Sequence, residues 1–121
     1  MAERAEADLI YADKQLVIRQ TWEPPGLSIS GVIDLFNVDA FARSLNSSLD
    51  GNGDLNIDLS ELEFCDVSGI RALVSAAERM GRRRRMVLLG LPPQLQTVMT
   101  VVGWTDLPGL VLGEPDGQPD R

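Results

Sequence analysis

The chain has no histidine and a single cysteine, Cys65, among its 121 residues. Histidine is the commonest general base and a common metal ligand, so its absence argues against hydrolase triads and zinc sites. One cysteine rules out a disulfide within the chain. Basic residues are also scarce, 11 against 18 acidic ones, and the net charge of −7 argues against nucleic acid as a partner. No apolar run approaches the roughly 20 residues that span a bilayer. The first residues, Met1 to Asp8, lack the apolar stretch of a signal peptide. These absences lead to the expectation of a soluble, cytoplasmic protein without membrane contact.

What is present suits one globular domain. Hydrophobic residues make up 44% of the chain, enough for a core in a domain of this length. Gln15 to Trp22 is rich in β-branched and aromatic residues, as a strand is. Glu23-Pro24-Pro25-Gly26 breaks it, and Leu27, Ile29, Gly31 and Ile33 then alternate with other residues. The pair reads as an antiparallel hairpin. Val38, Phe41, Ala42, Leu45 and Leu49 share one helical face, with Asn37 as a candidate N-cap. Asp50 to Gly53 ends that helix, and Leu55, Ile57 and Leu59 mark a third strand.

A loop from Ser60 onward is expected to lead to a second helix with Ile70, Leu73, Val74 and Ala77 inward, closed by Gly81. Met86 to Leu89 is wholly apolar, the mark of a buried strand. A third helix follows Pro92 and Pro93, with Leu95, Val98, Met99 and Val102 inward, and stops at Gly103. The order β-β-α-β-α-β-α predicts an α/β fold, a mixed β-sheet with helices packed against it. The expected organisation is a flexible extension over 1–8, a domain over 9–112 and a disordered tail over 113–121.

The stretch Asp66-Val67-Ser68-Gly69 carries most of the functional information. Ser68 reads as the N-cap of the second helix, with Asp66 favoured by the helix dipole and Gly69 allowing close approach. The same geometry suits a phosphoserine, because free amides at a helix start can receive phosphate oxygens. Residue chemistry leaves both readings open.

Other signals are smaller. Asp50 to Glu61 imitates a calcium loop, but Leu55 stands where the sharp turn needs glycine, and its alternation with Ile57 and Leu59 suits a strand. No metal site is expected. Cys65 reads as a buried apolar side chain. Arg82 to Arg85 reads as a solvated helix exit, with an acidic partner as the alternative.

Asp58-Leu59-Ser60 followed by Asp66-Val67-Ser68-Gly69-Ile70 resembles the pattern of a STAS domain. That fold is shared by anti-sigma factor antagonists and the cytoplasmic tails of sulfate transporters. The later strand Met86 to Leu89 and Gly103-Trp104-Thr105-Asp106-Leu107 are similar to the family's closing pattern. Gly31-Val32-Ile33-Asp34 is similar to its Gly-Glu-Leu-Asp, with Val32 in place of glutamate. Val67 stands where the family often has Ser or Thr. The resemblance covers residues 15 to 111 or so.

In the antagonist branch the serine before the glycine is phosphorylated by a kinase that is also an anti-sigma factor. Carried over, the resemblance implies phosphorylation at Ser68 and a partner surface of Asp34, Asp66, Ser68, Gly69 and Arg71. It implies an anti-sigma factor with serine kinase activity and a serine phosphatase as partners, with no cofactor, no enzymatic activity and a monomer or weak dimer. The alternative role is a STAS scaffold or accessory module, either a stressosome-type subunit or an accessory protein of a lipid transporter. A small enzyme would need Ser68 activated by Asp66, a weak base.

Overall fold

A computed structural model describes residues 8–51, 53–81 and 83–113. The extension expected over 1–8 and the tail over 113–121 lie outside them, apart from Asp8 and Gly113. The strands are β1 (Leu9–Ala12), β2 (Leu16–Trp22), β3 (Pro25–Ile33), β4 (Leu55–Cys65), β5 (Met86–Leu89) and β6 (Leu110–Gly113). The α-helices are α1 (Val38–Ser47), α2 (Val67–Met80) and α3 (Pro93–Val101). The six strands form one sheet in sequential order. β1 to β3 pair antiparallel, and β3 to β6 pair parallel. Each parallel pair is joined through a helix, the connection that parallel strands require.

The expected hairpin is present, with a two-residue turn at Glu23 and Pro24. Pro25 and Gly26 belong to β3 rather than to the turn. Gly31 has φ +105°, and a Cβ there would collide with the Gln15 carbonyl. That backbone region favours glycine.

The loop expected after Leu59 is instead strand. β4 runs on to Cys65, but its buried positions change spacing, from Leu55, Ile57 and Leu59 to Leu62 and Cys65. The register explains the change. Ser28 faces Asp58 while Ser30 faces Glu61, and Gly31 faces Leu62 while Val32 faces Phe64. Each shift inserts one extra residue on β4, and such a bulge turns the following side chains to the other face. Two bulges therefore convert an alternating pattern into one that reads as a loop.

β1 and β6 were also absent from the expected order. Both are four-residue edge strands, too short to carry a clear period.

One core holds Leu16, Ile18, Leu27, Ile29 and Ile57 of the sheet together with Phe41, Leu45, Ile70, Leu73 and Met99 of the helices. Intervening strand residues such as Arg19, Ser28 and Asp58 are only half-buried, so the helices cover one face of the sheet. α1 and α2 pack against each other. In α3, Leu95 and Met99 are buried, but Val98 and Val102, expected inward, are exposed. The helix touches the core along a stripe too narrow for all four.

The arginine run closes the opposite end of the sheet from the α2 start. Arg84 donates to the carbonyls of Gly53 at 2.8 Å and Leu49 at 2.5 Å. Arg85 pairs with Asp54 at 3.2 Å. This pair and the Asp58 to Ser60 bonds occupy carboxylates of the calcium-like stretch, and β4 starts within it. Among the described residues no cluster of metal-ligating side chains occurs. Arg82 lies outside them. No helix among them is long and apolar enough to cross a membrane.

Candidate functional site

The site forms where the parallel strands β3 and β4 end side by side. Ile33 and Cys65 are register partners, so the next residues, Asp34 and Asp66, emerge together. The Asp66 amide donates to the Ile33 carbonyl at 3.1 Å, which ties the two strand ends. Each aspartate then organises the chain that follows it.

Asp66 is the N-cap of α2, with extended backbone at φ −81° and ψ 177°. Its Oδ1 accepts from the amides of Ser68 at 3.1 Å and Gly69 at 3.4 Å. The expectation that Ser68 caps the helix is thus corrected. Aspartate caps as well as serine does, and Asp66 has the extended backbone of a cap, whereas Ser68 lies inside the first turn. The Ser68 hydroxyl donates back to Asp66 Oδ1. The hydroxyl is half-buried and not consumed in capping, which leaves it oriented by a carboxylate at the helix start.

Asp34 plays the matching part at the start of α1. Its Oδ1 accepts from the Phe36 amide at 2.9 Å and its Oδ2 from Gln15 Nε2 at 2.7 Å. Asn37 occupies the expected N-cap position but makes no side-chain cap bond. It is buried and used elsewhere: Oδ1 accepts from the Asp34 amide at 3.0 Å, and Nδ2 donates to the Val32 carbonyl at 2.9 Å. This bracing fixes the loop between β3 and α1.

That loop carries the residues the sequence reading missed. Leu35 and Phe36 are 77% and 95% exposed, and Val67 at the start of α2 is 51% exposed. Phe64 on β4 is exposed as well. The available signal was an adjacent apolar pair in a loop, outside any helical or strand period. Leu35 and Phe36, adjacent in one loop and both exposed, form the kind of apolar surface that marks an interaction site.

Gly69, in contrast, is buried. A Cβ there would overlap Cys65 Sγ and lie 2.9 Å from Ile33 Cγ2. Gly69 therefore seats the first turn of α2 against the two strand ends and leaves contact to its neighbours. Cys65 is buried too, and burial, reinforced by the Asp66 charge, pushes its thiol up to about 12. A thiol held neutral in this way is not a nucleophile.

Arg71 is exposed on α2. It lines a groove of about 550 Å³ between α1 and α2, together with Ser68. The structure thus brings Asp34, Asp66 and Ser68 to one end of the sheet, beyond the paired ends of β3 and β4, and turns Arg71 into the adjoining groove.

Comparison with known proteins agrees with this architecture. No curated protein matches the sequence. Among solved structures, an anti-sigma factor antagonist from Mycobacterium paratuberculosis superposes with a TM-score of 0.66 at 22% identity, covering 78% of this chain and 82% of its own. The anti-sigma factor antagonist SpoIIAA in its unphosphorylated form superposes with a TM-score of 0.53 at 15% identity, covering 84% of each chain. At these identities the likeness establishes the shared fold. The family model described as "Mlab, STAS domain" matches residues 16–112, which takes in β2 through most of β6, and the chain belongs to the STAS-domain family.

Proposed function

We propose that this chain is an anti-sigma factor antagonist of a partner-switching system, acting by binding rather than by turnover. Unphosphorylated, it binds an anti-sigma factor with serine kinase activity through the surface of Asp34, Asp66, Ser68 and Arg71, which Gly69 holds in shape. The observation that carries the reading is the placement of Ser68. Its hydroxyl sits half-buried at the first turn of α2, hydrogen-bonded to Asp66 and beside the exposed Val67.

The kinase transfers a phosphoryl group from ATP to Ser68 Oγ. The new O–P bond replaces the bond to ADP, and the hydroxyl proton leaves. The phosphate adds about 1.5 to 2 negative charges, next to Asp66 and across the strand ends from Asp34. Burying such a cluster in an interface is costly, so the complex dissociates. A serine phosphatase reverses the change.

The direct test is incubation with the cognate kinase and ATP, followed by mass-spectrometric mapping. Phosphate at Ser68, tight binding by Ser68→Ala and at least tenfold weaker binding by Ser68→Asp are expected. Phosphate at another residue, or equal binding by the two variants, overturns the proposal.

A scaffold or accessory role is the second reading. The exposed Leu35 and Phe36 favour it, because permanent interfaces are the more hydrophobic ones. Co-purification with a membrane ATPase, or assembly into a large homo-oligomer, would support that reading over the switch.

A further inference from the structure

The groove between α1 and α2 has a charge opposite to that of the chain as a whole. The net charge is −7, yet Arg71 and Arg79 line the groove and no carboxylate does. Among the described residues neither guanidinium makes an ion pair or hydrogen bond, whereas Arg84 and Arg85 are both engaged. The rest of the lining is small or apolar apart from Asn46: Val38 and Ala42 of α1, and Val67, Ser68, Ala72 and Ser75 of α2. Small side chains let another backbone approach closely, and the two arginines set what that backbone must carry.

We propose that this groove is the docking site for an amphipathic helix of the partner protein, bearing two acidic residues about two turns apart. The spacing follows from α2 itself. Arg71 and Arg79 are separated by eight positions, which at about 1.5 Å per residue is about 12 Å along the axis. Carboxylates seven or eight residues apart on an opposing helix span about the same distance. The occupant's small or apolar face lies against Ala42, Ala72 and Ser75, and its carboxylates meet the guanidinium groups.

The groove also couples the partner to the modification. Ser68 and Arg71 are three residues apart on one helix, close enough to interact, and both line the groove. A phosphate on Ser68 draws Arg71 to itself and repels an acidic segment, so one event removes an attraction and adds a repulsion. This coupling rests on the proposed phosphorylation; the acidic-helix site does not.

The experiment has two arms. In the first, the full chain is titrated with a labelled alanine-based helical peptide carrying two glutamates eight residues apart, and with its glutamine counterpart. Fluorescence anisotropy and amide chemical shifts are read at low salt. The acidic peptide is expected to bind at least tenfold tighter, to shift amides flanking the groove, and to lose that advantage in the Arg71→Glu/Arg79→Glu variant. Equal affinities, no binding, or shifts confined to other surfaces overturn the proposal. Both arginines are exposed, so the variant is expected to fold, and its amide spectrum verifies this.

In the second arm, the cognate kinase is titrated against the wild type and the double variant. Tight wild-type binding unaffected by the charge reversals overturns the groove and removes Arg71 from the proposed surface, while antagonism through Asp34, Asp66 and Ser68 stands. A kinase that binds neither protein, alongside a positive peptide arm, overturns the proposed function and leaves the groove. In the first arm, Ser68→Asp is expected to weaken the acidic peptide by a smaller factor in an Arg71→Gln background than in the wild type. Equal factors overturn the coupling.

Discussion

A side chain on Gly69 has no room, because α2 begins in contact with the ends of β3 and β4. The Gly69→Ala variant is expected to lose about 1–3 kcal/mol, the usual cost of overpacking, read from a urea denaturation curve. Much of that loss should return in Gly69→Ala/Cys65→Ala, since Cys65 Sγ is the atom the new methyl meets first. At Asp66, removing the cap by Asp66→Ala is expected to cost about 1 kcal/mol, whereas Ser68→Ala should cost less because its hydroxyl caps nothing. A common urea midpoint for these two variants would contradict the capping assignment. The Cys65 thiol, raised from an ordinary value of 9.0 to about 12, gives a pH dependence with a definite sign. The folded state favours the neutral thiol, so its contribution is whole below pH 9.0 and is lost as pH rises through about 12. Wild type should therefore lose stability faster than Cys65→Ala over that window. Thiol-specific labelling at pH 8 or so should wait on unfolding.

Among the elements, β4 shows how one strand can serve two purposes. Its first half, Leu55 to Leu59, alternates and pairs with both β3 and β5. Its second half pairs with β3 across two bulges and delivers Asp66 beside Asp34. The loop between β3 and α1 is anchored by Asn37 and Asp34 rather than by the packing of Leu35 and Phe36. Phe36→Ser is therefore expected to change stability by less than about 0.5 kcal/mol, measured by thermal melting, while weakening partner binding. A large drop in melting temperature would show that Phe36 is covered in the folded chain. At the other end, Arg84 ties the residues after α1 to the start of β5. Arg84→Ala is expected to cost about 1 kcal/mol and to raise amide exchange around Leu49 and Leu55.

At the scale of the whole molecule, the sheet is strongest in its middle. β3 and β4 are paired on both sides and carry much of the core, while β1 and β6 are four-residue edges. Local opening follows such differences. Hydrogen exchange is expected to be slowest in β3 and β4 and faster in β1 and β6. Uniform protection across the sheet would contradict that order. Among the described residues one face of the sheet is bare of helices, and the two helices that flank the site both start from the parallel strand ends. This places the aspartates, Ser68 and the α1–α2 groove on one continuous surface.

Periodicity was sufficient for the hairpin, the three helices, the buried strand Met86–Leu89 and the first half of β4, because regular side-chain spacing reflects burial directly. The order of the STAS motifs was also legible without coordinates. The second half of β4, the edge strands, the outward turn of Val98 and the identity of the α2 cap were not. Bulges alter facing without altering composition, and a cap depends on backbone angles at one residue. Resemblance to the family motifs nominated Asp34, Asp66, Ser68, Gly69 and Arg71 as candidate site residues before any coordinates. How those residues are placed depends on long-range contacts that no local pattern encodes: strand register brings Asp34 to Asp66, close packing buries Gly69, and the pairing of α1 with α2 turns two surface arginines into one wall of a groove.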